Sequence, residues 1–154
     1  MEAFVEPLGE LAEFNEISSR ISRNKGIVHV AGCVESQKAH FIYGLSGLFP
    51  YRLILAPDEQ KAKQLYEDYR FYDRNVCYYP AKDLLFFQAD IHGNLLIKQR
   101  MQVVRSILEK KEVTVVTSID GCMDFLMPLD SIGENLIHLG VGSEIDLEDL
   151  ERKL

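Results

Sequence analysis

The stretch AGCVESQKAH, residues 31–40, carries a spacing that approaches phosphate chemistry. A phosphate-binding loop, G-x-x-x-x-G-K-[ST], joins a strand to a helix. Its backbone N–H groups curl around phosphate, its lysine reaches the outer phosphates, and its hydroxyl holds Mg²⁺. Here Gly32 takes the first position and Lys38 the lysine position, with Gln37 in place of the second glycine and Ala39 in place of Ser or Thr. Gln37 adds bulk where the backbone must come close to its ligand. Ala39 has no oxygen for a metal, and Glu35 sets a carboxylate where phosphate would sit. Loops of this kind also need an acidic residue at the end of an apolar strand to hold Mg²⁺. The strand candidate VTVVTS ends at Thr117-Ser118, and Asp120 lies two residues further on. Gly32, Glu35, Gln37, Lys38 and Ala39 therefore read as a vestigial loop, with no catalytic residue, bound cofactor or metal expected. The alternative, an active nucleotide-binding domain using a variant loop around Lys38, stays open at this point.

Other chemistry-bearing residues are sparser. Asp90 and His92 could supply two metal ligands, but no Cys, His or Glu cluster lies near them in sequence. A turn before the next helix accounts for them. His29 alternates within a strand-like run and reads as a packed or surface histidine. Cys33 stands near a helix start, where a thiol pKa can fall, yet no Cys-His-acid set accompanies it. Tyr66, Tyr69, Phe71 and Tyr72 read as core. Phe86 and Phe87 fall in a long connection, where one could face a partner. Single-strand stacking platforms need interleaved basic residues, and here Asp68, Asp73 and Asp83 stand as close as Arg70, Arg74 and Lys82. Asp58, Glu59, Lys61, Lys63, Glu67 and Asp68 read as a solvated helix face.

The positioning elements follow from periodicity. Leu8, Leu11, Phe14, Ile17 and Ile21 predict an amphipathic helix over 4–23. GIVHVAG at 26–32 predicts a buried strand, and Ser36 is the expected N-cap of the next helix. A strand over 51–56, a helix opened by Asp58, a strand over 76–79 and a helix over 94–110 come next. Then come a strand over 113–118, a short helix over 119–127 stopped by Pro128, a strand over 135–142 and a helix from Ser143. Strands alternating with helices predict a three-layer α/β fold around a parallel sheet of about five strands, P-loop NTPase-like in connectivity and degenerate in its loop. The expected organisation is an N-terminal helix over 1–25, an α/β domain over 26–128, and the start of a further domain over 129–154. The last helix has no C-terminal stop signal, which suggests a fragment of something longer.

The chain has 154 residues and a formal net charge of -7. That charge argues against nonspecific DNA binding, which depends on Lys and Arg displacing counterions, but suits docking on a basic protein. Three widely spaced cysteines without a C-x-x-C fit reduced cytosolic thiols. No apolar run approaches a membrane span, and MEAFVEPLGEL lacks signal-peptide features. The expectation is a cytoplasmic protein with no membrane partner.

Several segments together resemble a known family. AGCVESQKAHFIYGL, LILAPDEQKAKQLYEDYRFY, YYPAKDLLFFQADIHGN, KQRMQVVRSIL, VTVVTSIDGCMDFLMP and GSEIDLEDLERKL run in the order found in the N-terminal region of the bacterial transcription-repair coupling factor (Mfd). The resemblance covers nearly the whole chain. It implies a large parent that drives along double-stranded DNA with ATP and Mg²⁺ in its own motor domains and displaces stalled RNA polymerase. It further implies an N-terminal module similar to the first motor lobe (domain 1a) of UvrB that has lost ATP binding and recruits UvrA in nucleotide excision repair. On this resemblance the chain is a non-catalytic scaffold. RNA polymerase and double-stranded DNA would be met by other domains of the parent. UvrB carries a long aromatic hairpin that probes damage; the matching interval PAKDLLFFQADIHGN is too short for one, so loss of damage verification is implied. The family's UvrA-contacting segment follows a G-Y-x-R stretch, and the sequence stops at Arg152-Lys153-Leu154 before any such stretch. No UvrA-contact residue is carried over, and UvrA is expected to bind through a module completed beyond Leu154. Motor motifs do not occur in the sequence.

Overall fold

The computed structural model describes residues 2–23, 26–82 and 91–134, together with 136, 137, 141, 142, 144, 146, 148, 150 and 151. It forms two compact units, Met1–Asp124 and Phe125–Leu154.

The first unit opens with α1 (Glu2–Gly9) and α2 (Ala12–Ser22), two helices where the apolar spacing predicts one. The break falls at Glu10-Leu11, where the Leu11 N–H bonds back to the Leu8 carbonyl at 3.0 Å. Next come α3 (Glu35–Ser46), β1 (Tyr51–Ala56), α4 (Glu59–Arg70), β2 (Val76–Tyr79), α5 (Ile91–Leu108), β3 (Val113–Ser118) and α6 (Ile119–Met123). Asp58 caps α4 by accepting the Lys61 N–H at 2.7 Å, as its position predicts.

The sheet among the described residues has three parallel strands in the order β1-β3-β2. Its register pairs Ile54 with Val116 and Tyr78 with Val116, so these side chains share one face. That face packs on α4: Ile54, Ala56, Val76 and Val116 form one core with Ala62, Tyr69 and Tyr43. α5 packs on β2 and β3; its Arg100 lies over Tyr79, a residue of the opposite face. Both faces of β3 are therefore largely covered, as a parallel sheet requires, with only Val115 half-buried. On the second face of β1, Tyr51, Leu53 and Leu55 are all exposed.

Two expectations about the sheet change. Residues 26–32 are not a strand: Ile27 is 97% exposed and Val30 is also exposed. A β-branched run becomes a strand only where an edge is available to pair with it, and this one is paired to none of the three. The expected strand over 135–142 falls partly outside the described residues; Leu136 and Ile137 are not in a strand, and Val141-Gly142 is a turn. The described sheet thus has three strands rather than about five.

The second unit holds α7 (Leu129–Glu134). Ser143 lies outside the described residues, but Asp146 accepts the Glu148 N–H at 2.9 Å and the Leu150 N–H bonds the Asp146 carbonyl at 3.0 Å, one helical turn capped by Asp146.

The α1–α2 pair is seated on α3 through a glycine. A Cβ on Gly44 would lie 2.6 Å from Leu8 Cδ1 and 2.8 Å from Phe14 Cζ. Both side chains are buried, and Phe14 also meets Phe41 edge to face. Gly44→Val should cost about 1–3 kcal/mol through overpacking. Gly47→Ala, where a Cβ meets nothing within 4 Å and φ is -63°, should be neutral or slightly stabilising. Urea unfolding midpoints of the two variants check this.

Candidate functional site

The loop at 32–38 follows a left-handed residue, Gly32 at φ 84°, a conformation that suits glycine. α3 begins at Glu35, two residues earlier than a Ser36 cap would start it. Val34 occupies the cap position, and its side chain has no acceptor to offer. Gln37 compensates: its Oε1 accepts the Val34 N–H at 3.2 Å. The residue that replaces the loop's second glycine thus occupies a backbone donor that a phosphate would use. The Gln37 and Lys38 N–H groups both bond the Val34 carbonyl, at 3.0 and 3.3 Å.

Charge is disposed in the same way. Lys38 Nζ donates to Glu35 Oε1 at 2.7 Å, and Lys61 Nζ reaches Glu35 Oε2 at 3.9 Å from α4. Lys38 lowers the pKa of the Glu35 carboxyl by hydrogen bond and then by charge, with Lys61 adding to it. Glu35 is thus a resident anion between two lysines. Ala39 points into the protein and is buried.

Beside the loop runs a groove of about 740 Å³ whose walls include Gly32, Cys33, Lys38, Phe41, Ile54 and Leu65. Its lining is mainly aliphatic, with charge at the rim. The groove can hold an apolar segment, and its cations are already engaged.

A second constellation stands at the C-terminal ends of the strands, where α/β sheets commonly carry their ligands. Glu59, on the first turn of α4, accepts the Tyr78 hydroxyl and the Ala81 N–H through Oε1, the latter at 3.2 Å. Its Oε2 accepts the Ser118 hydroxyl at 2.6 Å. Ser118 in turn accepts the Gly121 N–H at 3.0 Å and caps α6. One carboxylate therefore ties β2, β3 and α4 together. Burial, and then the hydrogen bond to Glu59, raise the Tyr78 pKa. This corrects the reading of Glu59 as part of a solvated face. Next to it Arg100, buried on α5, donates to the Pro80 carbonyl and to Asp124 Oδ2, each at 2.8 Å, and stacks over Tyr79 at 4.2 Å. Sequence reading gave no signal for Glu59, Arg100 or Asp124, because their partners are 19 to 59 residues away.

The remaining candidates do not converge. Asp90, Phe86 and Phe87 lie outside the described residues, as does the side chain of His92. His29 is exposed. Cys33 and Cys77 are half-buried, Cys122 is exposed, and all three thiols are free. No group of three or more potential metal ligands occurs among the described residues. Tyr69 is fully buried and Tyr66 packs beside Tyr78, but Phe71 is 87% exposed, against its reading as core. No helix among the described residues is long and apolar enough to cross a membrane.

Comparison with known proteins adds a relationship. The chain is 34% identical over 112 residues to the UvrABC system protein B of Thermosipho africanus, covering 62% of this chain and 17% of that protein. It is 32% identical over 117 residues to the same-named protein of Anaplasma phagocytophilum, and 29% identical over 117 residues to that of Fervidobacterium nodosum, covering 66% of this chain and 18% of each relative. Over that length the chain is UvrB-like. It spans less than a fifth of the relatives it matches. No protein-family model matches the chain, and no solved structure does.

Two predictions follow from the UvrB-like unit's own contacts. Glu59→Ala leaves two hydroxyls and a backbone N–H without their acceptor and should cost about 2–3 kcal/mol, the scale of losing hydrogen bonds to a charged group. Glu59→Gln, which keeps one carbonyl oxygen, should cost less; chemical denaturation ranks the two. The Asp124 carboxyl is held below its usual 3.8, first by the Lys82 N–H and then by Arg100. A depressed carboxylate pKa stabilises the fold above the unfolded value, and that contribution fades as pH falls through the folded one. The stability difference between the native chain and Asp124→Asn should therefore be full at pH 6 and shrink below pH about 4, as measured by urea titration across pH.

Proposed function

We propose that this chain is the UvrB-like N-terminal module of a transcription-repair coupling factor, acting as a scaffold in nucleotide excision repair. The observation that carries this reading is the pairing of UvrB similarity with a loop whose donors are engaged by its own side chains. Gln37 takes the Val34 N–H and Glu35 takes Lys38. A motor lobe that still used nucleotide would keep those groups open to phosphate. Ala39, buried and without a hydroxyl, supports the same conclusion.

Connectivity supports a P-loop-like ancestry. α3 and α4 pack together on one face, where Tyr43 meets Tyr69, and α5 covers the other. Right-handed crossovers then require a parallel strand leading into α3 to lie beyond the outer edge of β1. Val30, Gly32 and Cys33 line the same groove as Ile54, Leu55 and Ala56 of β1.

In this reading the chain itself catalyses nothing and holds no cofactor. The parent protein would contribute ATP, Mg²⁺ and contacts to double-stranded DNA and RNA polymerase through other domains, in the bacterial cytoplasm. UvrA would be recruited through a surface completed beyond Leu154.

Two measurements test it. Millimolar ATP with Mg²⁺ should leave the melting temperature of the chain unchanged. A ligand at one hundred times its Kd would stabilise by about 2.7 kcal/mol; such a shift, abolished by Lys38→Ala, would instead establish an active variant loop. A pull-down with UvrA should fail with this chain and succeed with a version extended through the following segment. Full retention of UvrA by the present chain would overturn the placement of the contact surface.

A further inference from the structure

We draw no further inference here: the strongest candidate, the free outer edge of β1 with the apolar groove beside it between α3 and α4, is an unpartnered apolar surface, and nothing in the structure shows what covers it.

Discussion

The first unit is arranged around the need to keep β3 dry. A parallel strand hydrogen-bonded on both sides leaves only its two faces to protect, and both must be covered by helices. Val113, Thr114, Val116, Thr117 and Ser118 are all buried. α4 supplies Ala62 and Tyr69 to one face, and α5 packs against the other. The polar members of the strand are satisfied locally: Thr117 donates to the Tyr79 carbonyl at 2.7 Å and Ser118 to Glu59. Buried hydroxyls without such partners would cost more than the burial returns. Glu59 is thus a consequence of β3's position. It ties off the strand where the chain must leave the sheet, and the same carboxylate fixes the start of the segment after β2.

The contrast between β3 and the run at 26–32 shows what local sequence can and cannot convey. Both are β-branched and apolar, and the local pattern treats them alike. β3 has neighbours on two sides, so VTVVTS becomes the centre of the sheet. IVHV has none of the three strands beside it, and Ile27 stays in solvent. Pairing depends on which edge is free, a property of topology that a seven-residue window does not contain.

Signals within a helical turn were partly legible: Val34, not the expected Ser36, stands at the cap of α3. Asp58 caps α4, and the Glu35–Lys38 pair sits at the i, i+3 spacing that brings side chains together. The strands over 51–56, 76–79 and 113–118 match their β-branched and aromatic runs. What failed to register were contacts across the sheet. Glu59 and Arg100 look like surface charges on amphipathic helices, yet each is turned inward by acceptors and donors far along the chain. A charged residue near a helix end has two outcomes, solvent or a buried partner, and only the neighbouring strand termini decide between them. Phe71 is the reverse case, an aromatic at the C-cap of α4 that is 87% exposed.

The loop at 32–38 combines both kinds of information. Its departures from a phosphate loop were readable as missing groups: no second glycine and no hydroxyl. The geometry turns absence into occupation. A bare helix N-terminus with a free lysine would still attract anions through its N–H groups and its dipole. Here Gln37 closes on Val34, and Glu35 stands between Lys38 and Lys61. A negative charge near a helix N-terminus is favourable in its own right, so Glu35 stabilises α3 by the electrostatics that would otherwise favour a bound anion. Restoring the glycine or the hydroxyl alone would leave that internal anion in place.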